Sequence, residues 1–132
     1  MGKNSAVQEY RDQLRKLILI GSDKELANFL TEFESHCPIR SQLLEENGNF
    51  KIIYDQPLKS NNSFIDKLLL VCSFSLGREL VKHGRARLKS CTSSPCEEIF
   101  VDYSKNGLQR FCSKKCSTRF HVKKHRQTKN SN

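Results

Sequence analysis

The 132 residues suffice for one small domain plus a compact module, and 36% apolar content with eight Phe and no Trp supports a modest helical core rather than an enzyme with a deep cleft. A net charge of +9 and a pI near 9.4 favour an acidic partner. The charge is divided, with nine Lys/Arg against ten Asp/Glu in residues 1–76 and fourteen against four in residues 77–132. A solvated basic tail is the plain reading of that second half, but the cysteines inside it argue for order. The only early apolar run, Leu17 to Ile20, is too short for a signal sequence or a membrane span, so a cytoplasmic chain with reduced thiols is expected. Six cysteines in that setting point to metal rather than disulfides.

In chain order, Val7, Tyr10, Leu14, Leu17 and Ile18 recur at helical steps and predict a helix over 5–20, stopped by Gly21. Ser22 with Glu25 three residues on has the spacing of a capping box for a second helix, whose stripe is Leu26, Phe29, Leu30 and Phe33 and whose stop is Pro38. Residues 39–46 read as a short helical turn, Asn47-Gly48-Asn49 as a turn, Phe50 to Tyr54 as a short strand and Gln56 to Asn62 as a polar loop. Ser63 caps the longest predicted helix, Phe64 to about His83. Its apolar positions, Phe64, Ile65, Leu68, Leu69, Val71, Cys72, Leu76, Leu80 and Val81, nearly encircle it and predict a central helix. Gly84 ends it and marks the boundary between an α-helical domain, 1–84, and a basic module, 85–132. The last residues, Gln127 to Asn132, read as disordered.

Four cysteines fall into two close pairs, Cys91/Cys96 and Cys112/Cys116, with fifteen residues between the pairs. Zinc takes four tetrahedral ligands, and two pairs close in sequence supply them at least conformational cost. Pro95 suits a tight turn at the first pair. Ile99 to Tyr103 reads as a strand, Ser104-Lys105-Asn106-Gly107 as a turn and Leu108 to Phe111 as the returning strand, with Cys116 in the first turn of the next helix. Knuckle, hairpin, helix is the layout of a treble-clef-like zinc module. A full thiolate shell leaves no open coordination position, so one structural zinc per chain is expected. Leu88, Ile99, Phe100, Leu108, Phe111 and Phe120 would make the module's small core. Cys37 and Cys72 lie alone on helix-rich segments and read as core packing.

The run Leu88-Lys89-Ser90-Cys91, Pro95-Cys96, Phe100-Val101-Asp102-Tyr103-Ser104, Arg110-Phe111-Cys112-Ser113 and Cys116-Ser117-Thr118-Arg119 resembles the CGNR zinc-finger proteins of bacteria. The tetrad that names that family, Cys-Gly-Asn-Arg, reads Cys-Ser-Thr-Arg here, from Cys116 to Arg119, and the second cysteine pair is one residue tighter. The resemblance implies a zinc-stabilised DNA-binding module behind an α-rich, ABATE-type N-terminal domain, in a transcription regulator.

From Arg110 to Lys129 there are eight Lys/Arg and no acid. On a helix starting near Ser113, Cys116 and Phe120 point inward. Lys115, Arg119, Lys123 and Arg126 form an outward stripe, flanked by Lys114, Lys124, His121 and His125. Such a helix fits a major groove, so Lys114, Lys115, Arg119, Lys123, Lys124 and Arg126 are the candidate DNA contacts. Arg119 can either read a base or brace the zinc loop. His121 and His125 read as solvated or phosphate-contacting rather than as metal ligands.

The expected function is therefore a zinc-dependent regulator that binds duplex DNA. A single helix calls for a homodimer to read a specific site. An RNA- or ribosome-associated zinc protein and a protein-interaction adaptor are the alternatives. No aromatic platform for unpaired bases is evident, since Phe111 and Phe120 read as core. No nucleophile elbow or phosphate loop is present. Glu97 and Glu98, adjacent on a strand, would point to opposite faces, so no catalytic role is expected.

Overall fold

The computed structural model describes residues 3–35, 39–55 and 63–131. Helices α1 (Lys3–Ile20) and α2 (Asp23–Ser35) are followed by a hairpin of β1 (Arg40–Glu46) and β2 (Asn49–Asp55). Helix α3 (Phe64–His83), a 3-10 turn at Arg85–Arg87, strands β3 (Leu88–Ser90) and β4 (Ile99–Val101), and helix α4 (Lys114–Asn130) complete the order. No helix among the described residues is long and apolar enough to cross a membrane.

Local chemistry sets most of these boundaries. At the start of α2 the Glu25 amide donates to Ser22 Oγ at 3.2 Å, and the Ser22 amide donates back to the Glu25 carboxylate at 2.8 Å. Ser63 and Asp66 repeat that reciprocal cap on α3, so each pair satisfies two otherwise orphaned N–H groups. Arg85 joins the first two helices from a distance. Its guanidinium donates to the carbonyls of Leu17, Ile18 and Gly21 at 2.7–3.1 Å and pairs with Asp23 at 2.8 Å, closing the end of α1 and the start of α2 together.

Tyr10, Leu14, Leu26, Leu30, Leu69 and Leu88 form the buried core where α1, α2 and α3 meet, with Phe29, Phe33, Leu76, Ile99 and Val101 packed on it. Tyr10 brings a hydroxyl into that core and shares a 2.7 Å hydrogen bond with Ser73 Oγ, which removes the cost of burying either group unpaired. Leu88 and Ile99 were expected to build a core for the basic module; the structure places them against the helices instead. Leu108, expected beside them, is exposed.

Three further expectations are corrected. Residues 40–46 are a strand rather than a helical turn. Asn47 and Gly48, at φ 54° and 79°, make the tight turn that sends β2 back along β1 in register Leu43↔Ile52, and ladder pairing overrides the helical preference of Leu, Gln and Glu. Helix α3 is buried on one side only, at Leu69, Leu70 and Ser73, while Phe64, Val71 and Val81 are exposed. The reason is that α1 and α2 cover one flank, and the hairpin reaches α3 chiefly through Tyr54, whose ring lies 4.9 Å from that of Phe74. Residues 127–130 continue α4 rather than fraying, with Thr128 Oγ1 donating to the Lys124 carbonyl at 3.0 Å. Cys72 packs on the core as expected. The expectations for Cys37, Pro38 and the loop Gln56 to Asn62 lie outside the described residues.

The one-sided burial of α3 gives a direct test. Leu70→Ala, at a fully buried position, is expected to cost about 2–5 kcal/mol in urea unfolding. Val81→Ala, at a position 91% exposed, should change stability by less than about 0.5 kcal/mol. Equal losses would mean that α3 is enclosed on all sides.

Candidate metal centre and basic helix

The four sulfurs of Cys91, Cys96, Cys112 and Cys116 converge to within 4.8 Å of one another. Cys112 Sγ lies 3.7 Å from both Cys96 Sγ and Cys116 Sγ. A tetrahedral zinc with Zn–S bonds of about 2.3 Å requires sulfurs about 3.8 Å apart, so the donor set and its spacing fit one such ion. Among the described residues neither His121 nor His125 joins the group.

Each sulfur is delivered by a short local device. The first pair sits on a knuckle in which the Cys96 amide donates to the Ser93 carbonyl at 2.8 Å. Ser113 caps α4 by accepting from the Cys116 amide at 3.2 Å, which fixes the helix start and aims the Cys116 sulfur at the same time. That hydroxyl, ahead of all else, lowers the Cys116 thiol to about 7. Burial, then its cysteine neighbours, push the Cys112 thiol up to about 12. Four thiolates this close cannot ionise together without a cation between them, and a divalent metal removes that conflict by deprotonating its ligands outright.

A zinc with four thiolates still carries two negative charges, and N–H donors around the sulfurs offset them. The Cys112 amide approaches Cys91 Sγ at 3.5 Å. Arg119 Nη2 approaches Cys116 Sγ at 3.3 Å and the Ser93 carbonyl at 3.2 Å. Arg119 thus ties α4 to the first knuckle. Its helix position is in the basic row, but its guanidinium is turned back onto the metal loop instead of outward.

The span between the cysteine pairs differs from the hairpin expected. Strand β4 pairs with β3, upstream, in register Lys89↔Phe100, and residues 108–111 form no strand. The cause is Asp102, whose carboxylate is fully buried. It accepts from Lys89 Nζ at 2.6 Å, the Ser104 amide at 2.9 Å and the Gln109 amide at 3.0 Å, so the returning chain wraps around the carboxylate and finds no ladder. Burial alone would raise the Asp102 pKa. Lys89, Ser104 and Gln109 outweigh it and hold the carboxyl well below the usual range. Gly107 closes the turn at φ 67°, where a Cβ would also meet the Arg87 guanidinium at 3.0 Å. Nothing in the sequence marked Asp102 beyond its place in the family-like run.

Glu97 and Glu98 sit in irregular chain before β4 and do not diverge. Both pair with Arg11 of α1, at 3.4 and 3.6 Å. Arg15 Nε donates to Ser90 Oγ at 3.0 Å, a second link from α1 to the metal loop.

Helix α4 leaves the metal site with only Cys116 fully buried. Phe120 and Ser117 are half-buried, and every residue from His121 to Ser131 is exposed. Lys114, Lys115, Lys123, Lys124 and Arg126 all lie on exposed surface, and among the described residues none has a carboxylate within ion-pairing distance.

Two outcomes test this geometry. Protein prepared without added metal should carry one zinc per chain by elemental analysis. Serine at any of the four ligand positions should abolish that stoichiometry yet leave the helical signal of α1–α3, while Cys72→Ser changes neither. Arg119→Ala should weaken zinc about 10–100-fold in a chelator competition, the range for a lost outer partner of a metal ligand. Lys123→Ala should leave zinc affinity unchanged; a similar loss from both would deny Arg119 its bracing role.

The chain matches no curated protein. Residues 87–129, which hold all four clustered cysteines and α4 up to its penultimate residue, match the family model described as CGNR zinc finger.

Proposed function

We propose that the chain is a zinc-dependent DNA-binding protein that acts as a transcription regulator, with α4 as the element laid against duplex DNA. The observation that carries this reading is the state of α4. It carries seven Lys/Arg and no acid, six of them besides the inturned Arg119, on an exposed helix whose cations have no carboxylate partner among the described residues. A row of like charges held on a rigid rod costs self-repulsion, and a polyphosphate backbone relieves it. The zinc site supplies the rigidity and does no chemistry of its own, because four thiolates fill its shell.

In this reading Lys114, Lys115, Lys123, Lys124 and Arg126 contact phosphates, and Arg119 orients the helix from its seat on the metal loop. Lys115 and Arg126 share one flank, and Lys114 and Lys124 lie round the other side, so a helix set into the major groove offers cations to both phosphate walls. The treble-clef assignment belongs here too, on the order of knuckle, turn and helix around the metal. Residues 1–84 would be the ABATE-like part, which senses a signal or joins two copies so that two helices read one site.

Salt dependence is the test. Three to five phosphate contacts give a slope of log K against log salt between about −2.7 and −4.5 on duplex DNA. Lys123→Ala and Arg126→Ala should each flatten it by about 0.9 and weaken random and preferred sequences alike. Affinity that ignores salt, or that survives loss of both cations, would remove α4 from the interface.

A further inference from the structure

Phe111 and Phe120 read from sequence as core, yet both are only half-buried, with ring centroids 5.1 Å apart. The exposed ring of His121 stands edge-on to both, at 5.8 and 5.5 Å. The guanidinium of Arg110 lies over the pair, with Cζ 5.5 Å from the Phe111 centroid and 5.2 Å from that of Phe120. Among the described residues Arg110 has no carboxylate partner, and its side chain makes no hydrogen bond. Its backbone is fixed, because the Arg110 carbonyl accepts from the Thr92 amide at 3.1 Å. By helical periodicity this cluster lies on the flank of α4 turned away from the Lys115 and Arg126 row.

We propose that Arg110, Phe111, Phe120 and His121 form a stacking site for an unpaired nucleobase at the margin of the nucleic acid that α4 holds. The inference rests on the nucleic-acid reading above and adds a preference for unpaired bases. A guanidinium is flat and weakly hydrated, so with one face on the phenylalanines it offers the other to a base, and its charge favours the attached phosphate. Every base has a π-face, so such a site accepts single-stranded segments with little regard to sequence. A cluster serving only as core would be sealed by an apolar side chain; this one is covered by an unpaired cation and flanked by an exposed imidazole.

The full-length, zinc-loaded chain can be tested with an oligothymidine of about ten nucleotides carrying one central 2-aminopurine, alone and annealed to its complement. Stacking on the cluster should quench the single-stranded probe on binding. Arg110→Lys keeps the charge and loses the plane. It should weaken the single-stranded probe about tenfold, within the range for one stacked base, and change duplex affinity less than twofold. His121→Ala, at an exposed position, should lower single-strand affinity in the same selective way. No quenching in the native complex overturns the proposal whatever the variants do. Equal losses on both probes from Arg110→Lys would also overturn it, reducing Arg110 to a phosphate contact. Either result leaves the duplex reading standing, which fails separately if Lys123→Ala and Arg126→Ala leave duplex binding unchanged.

Discussion

The convergence of four sulfurs within 4.8 Å is the constraint on which the basic half of the molecule depends. Apart from the residues lent to the helical core, the segment from Cys91 to Asn130 has little apolar burial of its own. A structural zinc contributes about 10–16 kcal/mol to modules of this kind, far more than a few half-buried rings could. The same sulfurs set directions as well as stability. Cys116 lies in the first turn of α4, so the metal fixes where the helix begins, and Ser113 and Arg119 fix how it leaves.

The metal module is anchored to the helices. Leu88 joins Tyr10 and Leu14 in the common core, Arg15 reaches Ser90 beside Cys91, and Arg11 pairs with both Glu97 and Glu98. The exposed ion pairs contribute little energy individually, but with Leu88 they hold β3 against α1. These contacts join α1 to the metal loop from which α4 leaves.

What was legible in the sequence was local. The Ser22/Glu25 capping pair, the Ser63 cap, the Asn47-Gly48 turn, the cysteine spacing and the run of cations each declare themselves within a few residues, because the chemistry acts over that range. What was not legible depended on distant partners. Strand β1 looked helical because Leu43-Leu44 breaks the alternation, and only pairing with β2 decides its state. The 108–111 segment looked like a strand because its residues suit one, but the buried Asp102 carboxylate claims the Gln109 amide. Arg119 looked outward on a helical wheel, which shows where a side chain starts and not where its long flexible stem takes it. Arg85 at the junction of α1 and α2 follows from no pattern at all, since its acceptors lie more than sixty residues upstream.

Amide hydrogen exchange on the full chain, zinc-loaded and after chelation, tests the central claim most directly. If the thiolate cluster orders the basic helix, removing the metal should erase protection in the first turns of α4 and in the Cys91–Cys96 knuckle, while the amides of α1 and α3 around Leu14 and Leu70 stay protected. Undiminished protection at Cys116 to Phe120 in the chelated protein would contradict the account, because α4 would then be held by something other than the metal.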